Sequence, residues 1–284
     1  MESSFLNKNL FEETLPSVNS RKKITTSKIR NMKSRTKIVS ATAYDHYTAK
    51  IIDDAGVDVI LVGDSLGMVV LGYPNTTHVT LSDMLHHTKA VSRSNPTALL
   101  VADLPFLTYG VELKDTIKNA GILIQEGAAE AVKLEGGVRV FEHVKGLVER
   151  EIPVMGHIGL TPQSIHTFGG YKVQGKTKFV ADKIREDALS LQDAGVFSIV
   201  IEGVPSELGS QITEEVEIPT IGIGAGPFCD GQILVTQEML GLFSDFTPKF
   251  VKVYSDLGIK ARNAVETFCS EVRSGDFPTE EHSF

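Results

Sequence analysis

From residue 36 onward the chain alternates short apolar runs, polar or glycine-containing turns, and stretches of helical spacing. The apolar runs cover 37–43, 57–63, 98–102, 129–134, 153–157, 197–201, 219–223 and 233–236. Most are rich in Val, Ile and Leu, as strands buried on both faces should be. The stretch 81–94 opens with Thr80 and Asp83 in capping-box spacing, and Thr161-Pro162 reads as an N-cap followed by proline at the first helical position. A last helix, about 256–274, carries Ile259, Ala264, Val265, Phe268 and Val272 on one face, with Gly275 and Pro278 as stop signals.

A weak internal repeat runs through the pattern. The segment 54–62, which begins Asp54-Ala55-Gly56-Val57, resembles 193–201, which begins Asp193-Ala194-Gly195-Val196, and 126–134 is a looser third copy. Each is a helix end, a tight turn and a buried strand. Eight strands in βα alternation predict a (β/α)8 barrel over 36–284 behind an N-terminal extension, 1–35. A doubly wound sheet is the competing arrangement, but its Gly-x-Gly-x-x-Gly turn after an early strand is missing.

Charge changes the picture at the N-terminus. The 284-residue chain has a net charge of -8, yet residues 1–35 hold eight Lys or Arg against three Glu. The extension is therefore +5 and the rest -13. An acidic body is a poor nucleic-acid surface. The extension lacks the apolar core of a secretory signal and reads as a solvated tail, partly ordered from about Ile24. No run is long enough to span a bilayer, and two cysteines, Cys229 and Cys269, suggest a reducing compartment, the cytoplasm.

Barrel chemistry is built at the carboxyl ends of the strands. There the sequence places Asp64, Asp103, Lys133 with Glu135, His157 and Glu202 on five consecutive strands. Lys133 and Glu135, two apart, share a face. Singly, each has a structural reading: Asp64 as an N-cap, Lys133 with Glu135 as an ion pair, His157 as a core histidine. Together, Asp64, Asp103 and Glu135 are three hard oxygen donors suited to Mg²⁺, whereas HExxH and paired-cysteine zinc spacings are absent. The glycines of Ile221-Gly222-Ile223-Gly224-Ala225-Gly226 read either as a phosphate cradle or, preferably, as a rim kept low for a bulky ligand. His86-His87 read as solvated.

These strand exits resemble the ketopantoate hydroxymethyltransferase family. The resemblance is carried by Gly63-Asp64-Ser65-Leu66-Gly67-Met68, Ala102-Asp103-Leu104-Pro105-Phe106, Val132-Lys133-Leu134-Glu135-Gly136-Gly137, and Gly156-His157-Ile158-Gly159-Leu160-Thr161-Pro162-Gln163-Ser164. Phe168-Gly169-Gly170-Tyr171-Lys172-Val173-Gln174-Gly175, Asp230-Gly231-Gln232 and Pro248-Lys249-Phe250 extend it. Residues 1–22 fall outside it. The loop from Gly72 to Thr80 departs from it, where the family usually has an Asp near Pro74 and a Pro near His78. The resemblance implies transfer of a hydroxymethyl group from methylenetetrahydrofolate to α-ketoisovalerate in pantothenate synthesis, by a homo-oligomer. It implies that Asp64 and Asp103 bind Mg²⁺ with Glu135 nearby, that Ser65 and Lys133 hold the 2-oxo acid, and that Glu202 is the base. A lyase or mutase of the isocitrate lyase type is the nearest rival, although the loop 136–142 lacks the cysteine those enzymes commonly use. A binding barrel without turnover is the alternative outside enzymes.

Overall fold

The computed structural model describes residues 21–242 and 248–284. Eight parallel strands close into a barrel in chain order: β1 (Ile38–Thr42), β2 (Val59–Val62), β3 (Leu99–Asp103), β4 (Ala131–Glu135), β5 (Val154–Gly159), β6 (Ser198–Glu202), β7 (Thr220–Ile223) and β8 (Gly231–Leu234). The helices are α1 (Thr26–Arg30), α2 (His46–Asp54), α3 (Leu66–Val69), α4 (Leu81–Ser92), α5 (Leu113–Gln125), α6 (Phe141–Val148), α7 (Ile165–Phe168), α8 (Lys178–Ala194), α9 (Ser206–Glu215), α10 (Thr236–Met239) and α11 (Leu257–Ser274). None of the described helices is long and apolar enough to cross a membrane.

Strand alternation divides the core in two. Inward-facing Ile38, Val59, Leu61, Leu99, Val101, Ala131, Met155, Ile221 and Ile233 fill the barrel. Their outward neighbours, such as Ile60, Leu100, Val132, Ile199 and Ile201, pack under the helices. The capping box at Thr80 and Asp83 forms as expected. Two local expectations shift. β8 starts at Gly231 rather than 233, since Gly231 pairs with both Ile38 and Ile221 across the closing seam. A Cβ there would run into the Ile38 carbonyl, so a residue with no strand propensity is the one that fits. Thr161 makes no side-chain cap, and the chain beyond it starts as a 3-10 turn, Pro162–Ser164.

Residues 1–20 of the basic extension lie outside the described residues. From Ile24 on, the segment closes the amino-terminal end of the barrel: Ile24, Ile29 and Met32 are buried against the inward-facing residues. The order expected from about Ile24 is found, and Arg21, Lys23 and Lys33 help hold the segment there, whereas Lys22, Lys28, Arg30 and Arg35 are exposed. Lys23 donates to the Pro96 and Ala98 carbonyls and to Glu130. Arg21 pairs with Asp58 at 2.8 Å, and Lys33 pairs with Asp230 at 2.9 Å.

At the other terminus α11 has the expected apolar face and the expected left-handed Gly275 cap, yet none of its 18 residues is buried. Ile259, Val265, Phe268 and Val272 are all exposed. Val39, on the outer wall of β1, is likewise 52% exposed.

Asp230 is the polar hub of the closed end. Its buried carboxylate accepts from Ser34 N, Thr220 N and Lys33 Nζ. Burial alone would raise its proton affinity, but these donors outweigh it and hold the carboxyl below the usual carboxylate range. A depressed folded-state value contributes stability above the unfolded value and loses it as pH falls through the folded one. Asp230→Asn should therefore cost about 1–3 kcal/mol in urea unfolding at neutral pH. The gap from wild type should narrow as pH drops below about 4. An equal gap at both pH values would contradict this account of the hub.

Candidate active site

Strand register sets the site. Asp103 on β3 stands opposite Lys133 on β4, and Glu135 stands opposite His157 on β5. Both pairs become ionic contacts: Lys133 Nζ lies 2.9 Å from Asp103 Oδ1, and His157 Nδ1 lies 3.3 Å from Glu135 Oε1. Glu202 pairs in register with Gly159, two residues past His157, and its Oε2 lies 3.2 Å from His157 Nε2. Gly159 has φ +89°, and a Cβ there would strike the Glu202 carbonyl, so glycine lets β5 and β6 close at the mouth. Asp64 follows β2, and its backbone N–H donates to Asp103 Oδ2 at 2.9 Å. The five strand exits thus come together at one rim.

Asp64, Asp103, Lys133, Glu135 and His157 are all at most 4% exposed. Burial, then the Asp103 and Glu135 charges, push the Asp64 carboxyl well above its usual range. Burial and Lys133 disfavour the charged form of His157, but Glu135 and Glu202 prevail and raise it to about 9. At neutral pH His157 is therefore charged, in ionic contact with two carboxylates but with no hydrogen bond from its Nε2. Lys133 stays charged as well, since Asp103, Glu135 and Asp64 overcome its burial. Four carboxyl groups thus share one ammonium and one imidazolium, and the raised proton affinity of Asp64 and Asp103 reflects a deficit of positive charge around them.

That deficit fits a hard divalent cation. Asp103 Oδ1 and Glu135 Oε1 meet their cations at angles too poor for hydrogen bonds and remain unpaired in that sense. Among the described residues no group of three or more Asp, Glu, His or Cys side chains is placed to hold a metal ion by itself. Mg²⁺ seldom asks for such a cage, since it keeps waters and takes one or two carboxylates plus substrate oxygens.

Several readings of single residues change. Asp64 does not cap a helix; Ser65 holds the N-cap position, without a side-chain capping bond, and its Oγ lies 2.7 Å from the buried Tyr44 hydroxyl. His87 is not simply solvated: its Nδ1 is 2.7 Å from the Tyr44 carbonyl, whereas His86 is exposed. The glycines at 222, 224 and 226 make room for the chain itself, which fills the positions of their missing side chains. A Cβ on Gly222 would meet Cys229, one on Gly224 the Phe250 ring, and one on Gly226 Ser206. The divergent loop folds into a 3-10 turn, Thr76–His78, capped by Asn75, with the Tyr73 and His78 rings 5.7 Å apart.

Sequence reasoning gave no role to Tyr44, Tyr109 or Gln163, each of which reaches a site residue. Gln163 sits inside a motif block, but nothing local shows which way its side chain turns. Tyr171, from the loop after α7, spans to Met68 on α3, its hydroxyl 3.1 Å from the sulfur. Burial and the Glu202, Asp64 and Glu135 charges raise the Tyr171 phenol to about 12.

Comparisons with known proteins agree on the family. The model of the ketopantoate hydroxymethyltransferase family matches residues 23–280. A 3-methyl-2-oxobutanoate hydroxymethyltransferase of Clostridium kluyveri is 60% identical over 248 residues, 87% of this chain and 89% of that protein. One of Acetivibrio thermocellus is 55% identical over 260 residues, 92% of each. Among solved structures, a 2,3-dimethylmalate lyase of the PEP mutase/isocitrate lyase superfamily superposes with a TM-score of 0.58 at 17% identity, covering 91% of this chain and 88% of that one. A phosphonopyruvate hydrolase gives 0.58 at 13% identity, covering 92% and 91%. Those two likenesses bear on the fold alone, and the sequence matches decide the rest: the chain belongs to the ketopantoate hydroxymethyltransferase family.

Proposed function

We propose that this barrel mouth transfers a hydroxymethyl group from methylenetetrahydrofolate to 3-methyl-2-oxobutanoate, giving 2-dehydropantoate for pantothenate synthesis in a reducing cytoplasm. The observation that carries the reading is the run of buried Asp64, Asp103, Lys133, Glu135 and His157 with partly buried Glu202 on consecutive strand exits, short of positive charge. Both cysteines are free, in keeping with that compartment.

Asp64 and Asp103 would hold Mg²⁺, with Glu135 reaching it directly or through water. When bound, the metal supplies Lewis-acid polarisation of the keto oxygen. Lys133, fixed by Asp103, places a second positive charge where negative charge grows as the substrate loses its proton. Ser65, oriented by Tyr44, offers the substrate a hydroxyl at the start of α3. Glu202 takes the proton from C3, the carbon beside the ketone. It is the least buried carboxylate of the run, its side chain 14% exposed, and so it faces the incoming substrate. His157, in ionic contact with Glu202 Oε2, would hold that carboxylate by charge. The C3 electron pair then forms the new bond to the folate's one-carbon unit; water supplies the hydroxyl oxygen, and tetrahydrofolate leaves.

The same reading includes self-assembly. The uncovered apolar face of α11 and the exposed outer wall at Val39 are both surfaces that a barrel normally buries under its own helices. A second copy of this chain is the occupant we assign to the α11 face, because the chain itself holds both an unsatisfied helix and an uncovered strand.

Three outcomes test this reading. Glu202→Gln keeps shape but removes the basic oxygen, so exchange of the C3 proton of 3-methyl-2-oxobutanoate in deuterated water should slow by about 10²–10⁴-fold, as followed by NMR. Substrate binding in that variant should survive, and exchange at the wild-type rate would exclude Glu202 as the base. Asp64→Ala and Asp103→Ala should each lower Mg²⁺ affinity and turnover together while the far-UV spectrum is kept. Wild-type turnover of both at limiting Mg²⁺ would remove the metal from this site. Val265→Glu with Phe268→Glu should give a smaller species by sedimentation velocity, and an unchanged sedimentation coefficient would exclude α11 from the interface.

A further inference from the structure

We infer that Gln163, backed by Tyr109, is the positioning residue that fixes the Asp64 and Glu135 carboxylates at the angle a divalent cation requires. This inference rests on the metal reading above and adds two residues to which that reading gave no task.

Gln163 is 6% exposed and lies in the 3-10 turn that follows β5. Its backbone N–H donates to Glu135 Oε2 at 3.0 Å. Its side-chain Nε2 donates to Asp64 Oδ2 at 2.8 Å and to the Leu104 carbonyl at 3.0 Å. Its Oε1 accepts from the Tyr109 hydroxyl at 2.7 Å. Tyr109 in turn accepts from the Glu135 backbone N–H at 3.0 Å. One residue therefore ties the exit of β2 to the exit of β4, through a turn delivered by β5.

The chemistry admits one orientation. Turning the amide over would set Oε1 against the Asp64 carboxylate and the Leu104 carbonyl, acceptor against acceptor. Each of the two carboxylates is thus gripped by one oxygen from a fixed direction, Oδ2 of Asp64 and Oε2 of Glu135.

A neutral amide suits this task better than a charged side chain. Asp64, Glu135 and Asp103 repel one another in a buried setting, so they need donors to stay aligned. A lysine would supply donors but also the positive charge meant for the metal. A glutamine aligns the oxygens and leaves their charge unspent. Losing an outer partner of this kind typically costs metal sites about 10–100-fold in affinity or activity.

The test is titration of the full-length protein with Mn²⁺ as probe, without substrates, following free Mn²⁺ by its EPR signal. Gln163→Met keeps the volume and removes every side-chain hydrogen bond; its dissociation constant should rise about 10–100-fold over wild type. Tyr109→Phe, which spares Gln163 itself, should weaken binding in the same direction but less, and it keeps the inference testable if Gln163→Met does not fold. Cooperative urea unfolding of each variant separates loss of alignment from loss of structure. Wild-type protein that binds Mn²⁺, with both folded variants binding equally well, would overturn the role of Gln163 and leave the metal reading standing. Wild-type protein that binds no Mn²⁺ would overturn the metal reading, and this inference with it.

Discussion

Everything at the barrel mouth depends on keeping several carboxylates close together away from water. Two like charges 4 Å apart repel by about 4 kcal/mol at an effective dielectric of 20. Such a group persists only where neighbours are fixed in advance. Here Lys133 sits against Asp103, His157 between Glu135 and Glu202, and Gln163 between Asp64 and Glu135. Each partner comes from a different strand exit than the carboxylate it serves, except that β4 supplies both Lys133 and Glu135. The site is therefore a property of the closed barrel and exists in no shorter piece of it.

The rest of the chain makes closure possible. Parallel pairing all the way round leaves no edge, so register cannot slip at one strand without disturbing the next. At the amino-terminal end, Ile24, Ile29 and Met32 fill the opening, and Asp230 ties that plug to β7 and β8. Chemistry and closure sit at opposite ends, as is general for this architecture. At the mouth, small residues serve contact between chain segments more than ligand space: Gly159 lets β6 approach, and Gly224 admits the Phe250 ring.

A charged His157 also changes how the base is understood. A neutral histidine at a strand end is a candidate base in its own right. Held between Glu135 and Glu202 it is protonated at neutral pH, so it sits beside Glu202 as a positive charge and not as a second base. Glu202 and His157 are thus parts of a single charged arrangement.

What the sequence determined by itself was the barrel and the list of groups at its mouth. Apolar runs flanked by turns show strands without reference to partners, and chemistry at strand exits follows from knowing where strands end. The blocks around Asp64, Asp103, Lys133 and His157 were legible for the same reason, and they carried the family with them. Where neighbours decide, the sequence was silent or misleading. Gly231 and Gln232 look like a turn and form β8, since pairing with Ile38 and Val39 overrides their propensity. The glycines after β7 suggest room for a ligand, but Phe250 and Ser206 fill it. The apolar stripe of α11 was visible, and that nothing in the described chain covers it was not. Gln163 and Tyr109 had no local signature, because an amide's role is set by what surrounds it. Periodicity is a property of a segment, whereas the direction of a side chain and the proton it holds depend on atoms brought near only by the closed fold.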